Sequence, residues 1–391
     1  MKRVNTILVI ILFAIVAGCV ADSVISKKKS TDFIVVDVTK TNYPQKELIL
    51  QDFMDVEYIP LETGREFLCQ RRVLAIGKDM IIIANDRDDG DIFIFDRNGK
   101  GLRKINRRGQ GPEEYLTISA FVLDEDNNEI IIRDITSRKI LVYDLNGKFK
   151  RNIGNEENNM IFAMRNFDRE HLICHNNDRR RIGENSHFII SKQTGNIVRN
   201  IKLHFKNAIN PSILGIQRSA SVRPLPPLPM AYPMLYNYQG NFIILEPSSD
   251  TVFMYSPDHK MKPVTVRTPS IHSMDPKIHL FPSTITEQYY FMGCFNETQK
   301  NVITTNFMYD KQAGAMFKYV VYNDDYSNRE ISMNSIFVTG NNNETAFSVA
   351  IDAFDLVEAY KENKLKGKLK DIASKLKEED NPVIMLVKHK K

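Results

Sequence analysis

Short apolar strands recur along most of this chain, and the first two repeats close on Asn-Gly turns. The unit "DIFIFDRNGK" at 91–100 returns as "KILVYDLNGK" at 139–148. A good strand also stands near each end of the repetitive region, "MDVEYIPLET" at 54–63 and "NPVIMLVKHKK" at 381–391. Together these predict an all-β fold: a six-bladed β-propeller of four-stranded antiparallel blades, closed by the N- and C-terminal strands, with a small helical insertion near the C-terminus.

The N-terminus is a separate matter. "MKRVNTILVIILFAIVAGC" carries Lys2 and Arg3, an apolar run from Ile7 to Ala17, and small residues before Cys19. That is the layout of a secretory signal. The run falls short of the roughly 20 residues that a spanning helix needs. "VAGC" at 16–19 resembles a bacterial lipobox. The resemblance implies cleavage before Cys19, recognition of Val16, Ala17 and Gly18, and lipidation of Cys19. The alternative is a plain secreted protein cut after Ala17 or Gly18. "VADSVISKKKSTDF" follows, polar and Lys-rich, as a solvated tether would be. The expected organisation is a signal peptide over 1–18, a lipid-anchored tether and lead-in over 19–47, and the propeller over 48–391 with its insertion at 352–380.

Composition narrows the partners. The net charge is +5, and it falls to +3 when Lys2 and Arg3 leave with the signal. Acidic and basic residues are interspersed, so no nucleic-acid partner is expected. The membrane is reached through the N-terminal lipid. Cys69, Cys174 and Cys294 lie far apart, without metal-ligand spacing or a dense disulfide framework. Buried free thiols are the expected state of all three.

Each repeat explains itself locally. The first copy is "MIIIAND" and "DIFIFDRNGKGLRKI" at 80–105; the second is "EIIIRD" and "KILVYDLNGKFKRNI" at 129–153. The third uses "HLICHN" at 171–176 and "HFIISKQTGNIVRNI" at 187–201, the fourth "NFIILE" and "TVFMYSPDHKMKPVTV" at 251–266. The fifth is weaker, "NVITTNF" and "AMFKYVVYNDDYSNREI", and the sixth draws on "SIFVTG", "TAFSVAI" and "PVIMLVKH". Ile, Val, Phe and Tyr suit a pleated surface, and Asn-Gly supplies left-handed backbone for tight turns. A further strand, "RVLAI" or "ISAFVLD", precedes each of the first two copies. Four short antiparallel strands per repeat make a propeller blade, and period-2 patterning excludes a helical solenoid.

Closure needs one blade shared by both termini, because an incomplete sheet exposes an edge. "MDVEYIP" and "VIMLVKH" fit that purpose. Between the late strands, Leu365, Leu369, Ile372, Ala373 and Leu376 form an apolar helical stripe. It suits either an insertion packed on the propeller or, less well, a membrane-surface helix.

These motifs resemble a group of six-bladed β-propeller lipoproteins from Bacteroides and relatives, with NHL-like repeats. "VEYIPLET" resembles the group's opening strand, "DGDIFIFDRNGKGLRKINRRGQGPEEY" its first-blade signature, and "DNPVIMLVKHKK" its closing strand. Asn106 and Glu113 stand where that signature usually has Gly. The resemblance implies the fold and a cell-envelope location in a Gram-negative bacterium, by default the outer membrane. It implies no settled activity.

"RRGQGPEEY" at 107–115 has the Gly content of a phosphate loop but no Gly-Lys-Ser/Thr, and a strand follows it. It therefore links the outer strand of the first blade to the inner strand of the second, with Tyr115 between blades and Glu113 or Glu114 bonded to Arg107 or Arg108. As a ligand loop it would offer Arg107, Arg108, Gln110 and Glu114, Arg being suited to carboxylates and sugar hydroxyls. A second candidate is the Pro-rich segment 207–240 with Arg218, Arg223, Tyr232, Tyr236 and Tyr238, either an inter-blade connection or a recognition segment. A third, 275–293, carries His279, Tyr289 and Tyr290.

Other polar residues point to structure. Asp86 and Asp134 recur in equivalent places, as side chains that accept turn N–H groups do. Asp86, Asp88, Asp89 and Asp91 cluster in one loop facing water. His171, His175, His187 and His204 show no metal spacing, and no Ser lies in a Gly-x-Ser-x-Gly context. No cofactor and no metal are expected; calcium would need several oxygen ligands converging on the axis, which sequence does not reveal. The function expected is a binding or scaffold module for a glycan, peptide or envelope protein. The alternatives are a hydrolase or lyase acting on an extracellular polymer at the propeller axis, or a purely structural envelope protein.

Overall fold

In the computed structural model the described residues are 33–85, 89–154, 161–176, 186–209, 234–297, 302–327, 329–333 and 344–390. Cys19 and the signal lie outside them. Six sheets form the six blades of a β-propeller. The first blade runs from inner to outer strand as Arg72–Ile76, Met80–Ala84, Asp91–Asp96 and Gly101–Asn106; the second as Ala120–Asp124, Glu129–Asp134, Lys139–Asp144 and Phe149–Asn152. The third blade is Ile161–Asn166, His171–Asn176, His187–Ser191 and Ile197–Ile201, and the fourth is Leu235–Tyr238, Asn241–Ile244, Thr251–Tyr255 and Met261–Thr268. The fifth is Ile278–Ile285, Tyr289–Glu297, Val302–Asp310 and Ala315–Tyr322.

The sixth blade joins the two ends of the chain. Val383–His389 pairs antiparallel with Thr345–Ile351 on one side and Met54–Pro60 on the other, with Val383 opposite Pro60 and His389 opposite Met54. "SIFVTG" at 335–340 lies outside the described residues. Asn381 locks the junction: its Oδ1 accepts from Cys69 N at 2.9 Å and its Nδ2 donates to Glu62 O at 2.7 Å.

Two further strands come from the segment that sequence assigns to the lead-in. Ile34–Asp37 adds parallel to the outer strand of the fourth blade, and Gln45–Ile49 adds parallel to that of the fifth. The folded body therefore starts at Ile34, ahead of Leu48. Val36, Val38, Tyr43 and Leu48 are buried there. The apolar content of "FIVVDV" and "KELIL" is what a half-covered edge strand requires.

The Asn-Gly turns differ in detail from a two-residue hairpin. Asp96 Oδ1 accepts from Asn98 N and Lys100 N, and Asp144 Oδ1 accepts from Asn146 N and Lys148 N. Only the glycine is left-handed, at φ 84° for Gly99 and 78° for Gly147, and the ladder bulges beside each turn. The Asp thus sets a type I turn and the Gly closes it with a bulge. A Cβ on Gly99 would sit 2.0 Å from Pro60 O, so this turn also docks on Met54–Pro60, the outer strand of the sixth blade.

Apolar layers fill each space between neighbouring blades. Ile82, Ile94, Tyr115, Ile132 and Tyr143 pack between the first and second, and Ile173, Ile189, Leu235 and Tyr255 between the third and fourth. Strands with a neighbour on both faces carry no polar alternation, hence fully buried runs such as Ile81–Ile83. The helices Ala353–Lys361 and Gly367–Ala373 cover the layer between the fifth and sixth blades. Leu365, Leu369 and Ala373 are buried in it, so the stripe belongs to the core and not to a membrane surface. Among the described residues no helix is long and apolar enough to cross a membrane. Cys69, Cys174 and Cys294 are free and buried.

Candidate functional site

In a four-stranded antiparallel blade, the turn between the second and third strands leaves from the same end as the connection to the next blade. Both kinds of loop therefore share one face of the ring. The Gly-rich stretch lies on that face between the first and second blades. Tyr115 is wholly buried, donates its hydroxyl to Gly90 O at 2.7 Å and accepts from Arg107 N at 3.2 Å. Its ring meets Tyr143 edge-on at 6.2 Å. Burial pushes the Tyr115 hydroxyl pKa up to about 12.

Glu114 turns inward onto its own loop. Its carboxylate accepts from Gly111 N at 2.8 Å, and a Cβ on Gly109 would lie 1.9 Å from the same oxygen. The second blade grips the loop too. Lys139 Nζ donates to Gly111 O at 2.6 Å and Tyr143 Oη to Glu113 O at 2.8 Å. The expected pairing of Glu113 or Glu114 with Arg107 or Arg108 is replaced by these bonds. Arg107 Nε instead donates to Gly147 O at 2.8 Å, and the Arg108 stem packs on Gly90. Arg107, Arg108 and Gln110 remain exposed on a frame fixed from both sides.

The other candidates are dispersed. Tyr236 is buried between the fourth and fifth blades with its hydroxyl donated to Ser283 O at 3.1 Å, which leaves it no surface for a ligand. Tyr238 is half-buried at the opposite end of its strand, edge-on to His389 at 5.8 Å. His279 is buried and stacked on Phe295 at 4.7 Å. Tyr289 is core, and Tyr290 lies under Lys311 at 4.5 Å. Arg218, Arg223, Tyr232, Asp86 and Asp88 lie outside the described residues. Asp134 accepts from Leu116 N, Thr117 Oγ1, Thr136 N and Ser137 Oγ, the turn-binding role its repetition predicts. Asp89 likewise accepts from Asn85 Nδ2 and Asp91 N.

The structure also assembles a polar group that sequence does not single out. His175 is the last residue but one of the second strand of the third blade and stands opposite His187, which begins the third strand. Their rings lie 4.7 Å apart. Glu246 approaches from the turn after the second strand of the fourth blade, on the same face. Donor atoms of all three lie within 4.8 Å of one another. The residues are 4%, 0% and 3% exposed. Ser186 Oγ donates to Glu246 Oε2 at 2.7 Å and lies 3.0 Å from His187 Nδ1. His187 Nε2 lies 3.0 Å from Met234 O. Burial pulls the His187 pKa down to about 4, and burial together with the neighbouring His187 holds His175 well below its usual value. Burial raises Glu246, against the hydrogen bonds from Ser186 and Ser248. The strand pairing of 171–176 with 187–191 carries a signal for the two histidines; Glu246, in the next blade, has none.

The six sheets and their shared terminal blade define a closed β-propeller. The chain belongs to the family described as domain of unknown function DUF4934, whose model matches residues 33–388. No curated protein matches it. Among solved structures it is similar to a protein from Bacteroides fragilis described as exported, at 16% identity and TM-score 0.59, over 89% of this chain and 99% of that one. It is also similar to a DUF4221 family member from Bacteroides vulgatus, at 11% identity and TM-score 0.46, over 86% and 97% of the two chains.

Proposed function

We propose that this chain is an exported, lipid-anchored binding module of the cell envelope, which recognises acidic groups of an extracellular ligand at Arg107 and Arg108. The carrying observation is the clamped loop. Two adjacent exposed arginines stand on a backbone held by Tyr115, Glu114, Lys139 and Tyr143. A frame fixed before binding lowers the ordering cost, and guanidinium groups match carboxylates in a planar, bidentate fashion. Gln110 adds a neutral hydrogen-bonding group beside them. The N-terminal signal layout supports export, in keeping with the description of the similar B. fragilis protein as exported. Cys19 is the proposed lipid attachment point, with the outer membrane as the proposed location.

A hydrolase would need acid–base groups open to a polymer. The His–Glu cluster found among the described residues, His175, His187 and Glu246, is enclosed and offers a polymer no such group.

The test screens the full chain against acidic and neutral glycans and acidic peptides. Ligands bearing carboxylate or sulfate are expected, with affinity falling as salt rises. Arg107→Ala with Arg108→Ala should weaken binding about ten-fold or more. A neutral ligand bound equally well by the double variant would overturn the assignment. Cys19→Ala should release the protein from the membrane fraction; firm retention would remove the lipid anchor.

A further inference from the structure

The hydrogen bonds around His187 do not balance among protein groups with Glu246 ionised and His187 neutral. The Met234 carbonyl can only accept, so His187 Nε2 must carry the proton. In a neutral imidazole Nδ1 then presents a lone pair. Its neighbour at 3.0 Å is Ser186 Oγ, whose single proton is directed to Glu246 Oε2. The Nδ1 lone pair therefore faces an oxygen lone pair. A second and independent deficit lies beside it. His175 Nδ1 is buried without a hydrogen-bond partner among the described residues, and the His175 side chain reaches the same cluster. An unmatched buried polar atom of this kind calls for an explanation, an ion among them.

We propose that His175, His187 and Glu246 bind one divalent transition-metal ion of the zinc class between the third and fourth blades, with Nδ1 as the ligand atom of each histidine. Two imidazoles and one carboxylate suit zinc, whereas calcium takes a shell of oxygens. The surroundings fit as well. Metal-bound histidines commonly donate their other nitrogen to a backbone carbonyl, as His187 Nε2 does to Met234 O. Ser186 Oγ and Ser248 N hold the two carboxylate oxygens of Glu246 in place. Donors within 4.8 Å must close to roughly 3.4 Å for tetrahedral bonds of about 2.0–2.1 Å, which side-chain rotation achieves. Three protein ligands leave the fourth tetrahedral position to a water molecule, and ligands drawn from both blades would tie the third blade to the fourth. The inference stands apart from the arginine loop, and its failure would leave the binding role intact.

The experiment uses the full chain, free of any affinity tag, stripped with a chelator and titrated with Zn²⁺ or Co²⁺. One equivalent should bind, Co²⁺ should show the strong visible absorption of a tetrahedral site, and Zn²⁺ should raise the melting temperature. His175→Gln and Glu246→Gln should each lower Zn²⁺ affinity at least about 100-fold, and Ser186→Ala about ten-fold. His171→Gln, at an exposed His–Asp pair, should change nothing. Wild-type protein that binds no ion would overturn the proposal and leave a proton on Glu246 or His187 to complete the bonds. Equal binding by either first variant would place the ion elsewhere and overturn it too. Should those variants fail to fold, the wild-type Co²⁺ spectrum decides: no tetrahedral absorption, no site.

Discussion

The junction between the first and second blades and the junction between the third and fourth solve the same problem differently. Each must bury polar groups where two sheets meet. At the first, the buried polar groups described above find neighbours within the loop or its two blades: Tyr115 with Gly90 and Arg107, Glu114 with Gly111, Lys139 with the loop carbonyls. At the second, one Ser186 hydroxyl stands between His187 Nδ1 and Glu246, and His175 Nδ1 has no hydrogen-bond partner among the described residues. The first junction is complete as a set of local hydrogen bonds. A cation shared by the three side chains would complete the second.

The largest expected effect is on the complete junction. Tyr115→Ala removes a wholly buried ring from the layer between two blades and should cost about 3–5 kcal/mol in urea unfolding. Tyr115→Phe keeps the ring and loses only the hydroxyl bonds, at about 1–2 kcal/mol. Equal costs for the two would show that packing contributes little there. Next comes Gly109→Ala, which must displace the Glu114 carboxylate and should cost about 1–3 kcal/mol. Combined with Glu114→Ala the two costs should fall short of additive, since both break the same bond. Strict additivity in that cycle would mean the loop is not built around Glu114.

Much of the first junction is legible in sequence. "GQGPEEY" announces a turn, and its position between two strand repeats places Tyr115 between blades. The partners of Glu114 are not legible, because a glycine N–H competes with an arginine only once the loop is closed. Parallel pairing of Ile34–Asp37 and Gln45–Ile49 with the fourth and fifth blades is equally hidden. Nothing in a five-residue apolar stretch states which distant edge it will cover. Tyr236 misleads for a related reason: inner strands are buried on both faces, so an aromatic there need not point to a ligand. The His–His–Glu group is the extreme case. Two members share a hairpin register and the third arrives from the next blade.

A smaller effect separates charge from shape at the first junction. Asp134 is pushed up by burial and pulled further down by hydrogen bonds from Ser137, Leu116 and Thr117, so its folded pKa lies below 3.8. The stability it contributes is present above pH 3.8 and is lost as the pH falls through the folded value. Asp134→Asn should cost about 1–3 kcal/mol at neutral pH, and the gap to wild type should narrow below pH 3.8. A gap independent of pH would assign the effect to shape alone. Smallest of all, Arg108→Ala should move stability by no more than about 0.5 kcal/mol, because its exposed guanidinium is offered to a ligand and not to the fold.

The contrast between the junctions is tested most directly by amide hydrogen exchange on the full chain, with and without a zinc chelator. Chelation should speed exchange in His171–Asn176, His187–Ser191 and Asn241–Ile244, and leave Ala120–Asp124 and Glu129–Asp134 unchanged. Uniform protection in both conditions, or loss spread evenly over all six blades, would contradict a cation-dependent joint between the third and fourth blades.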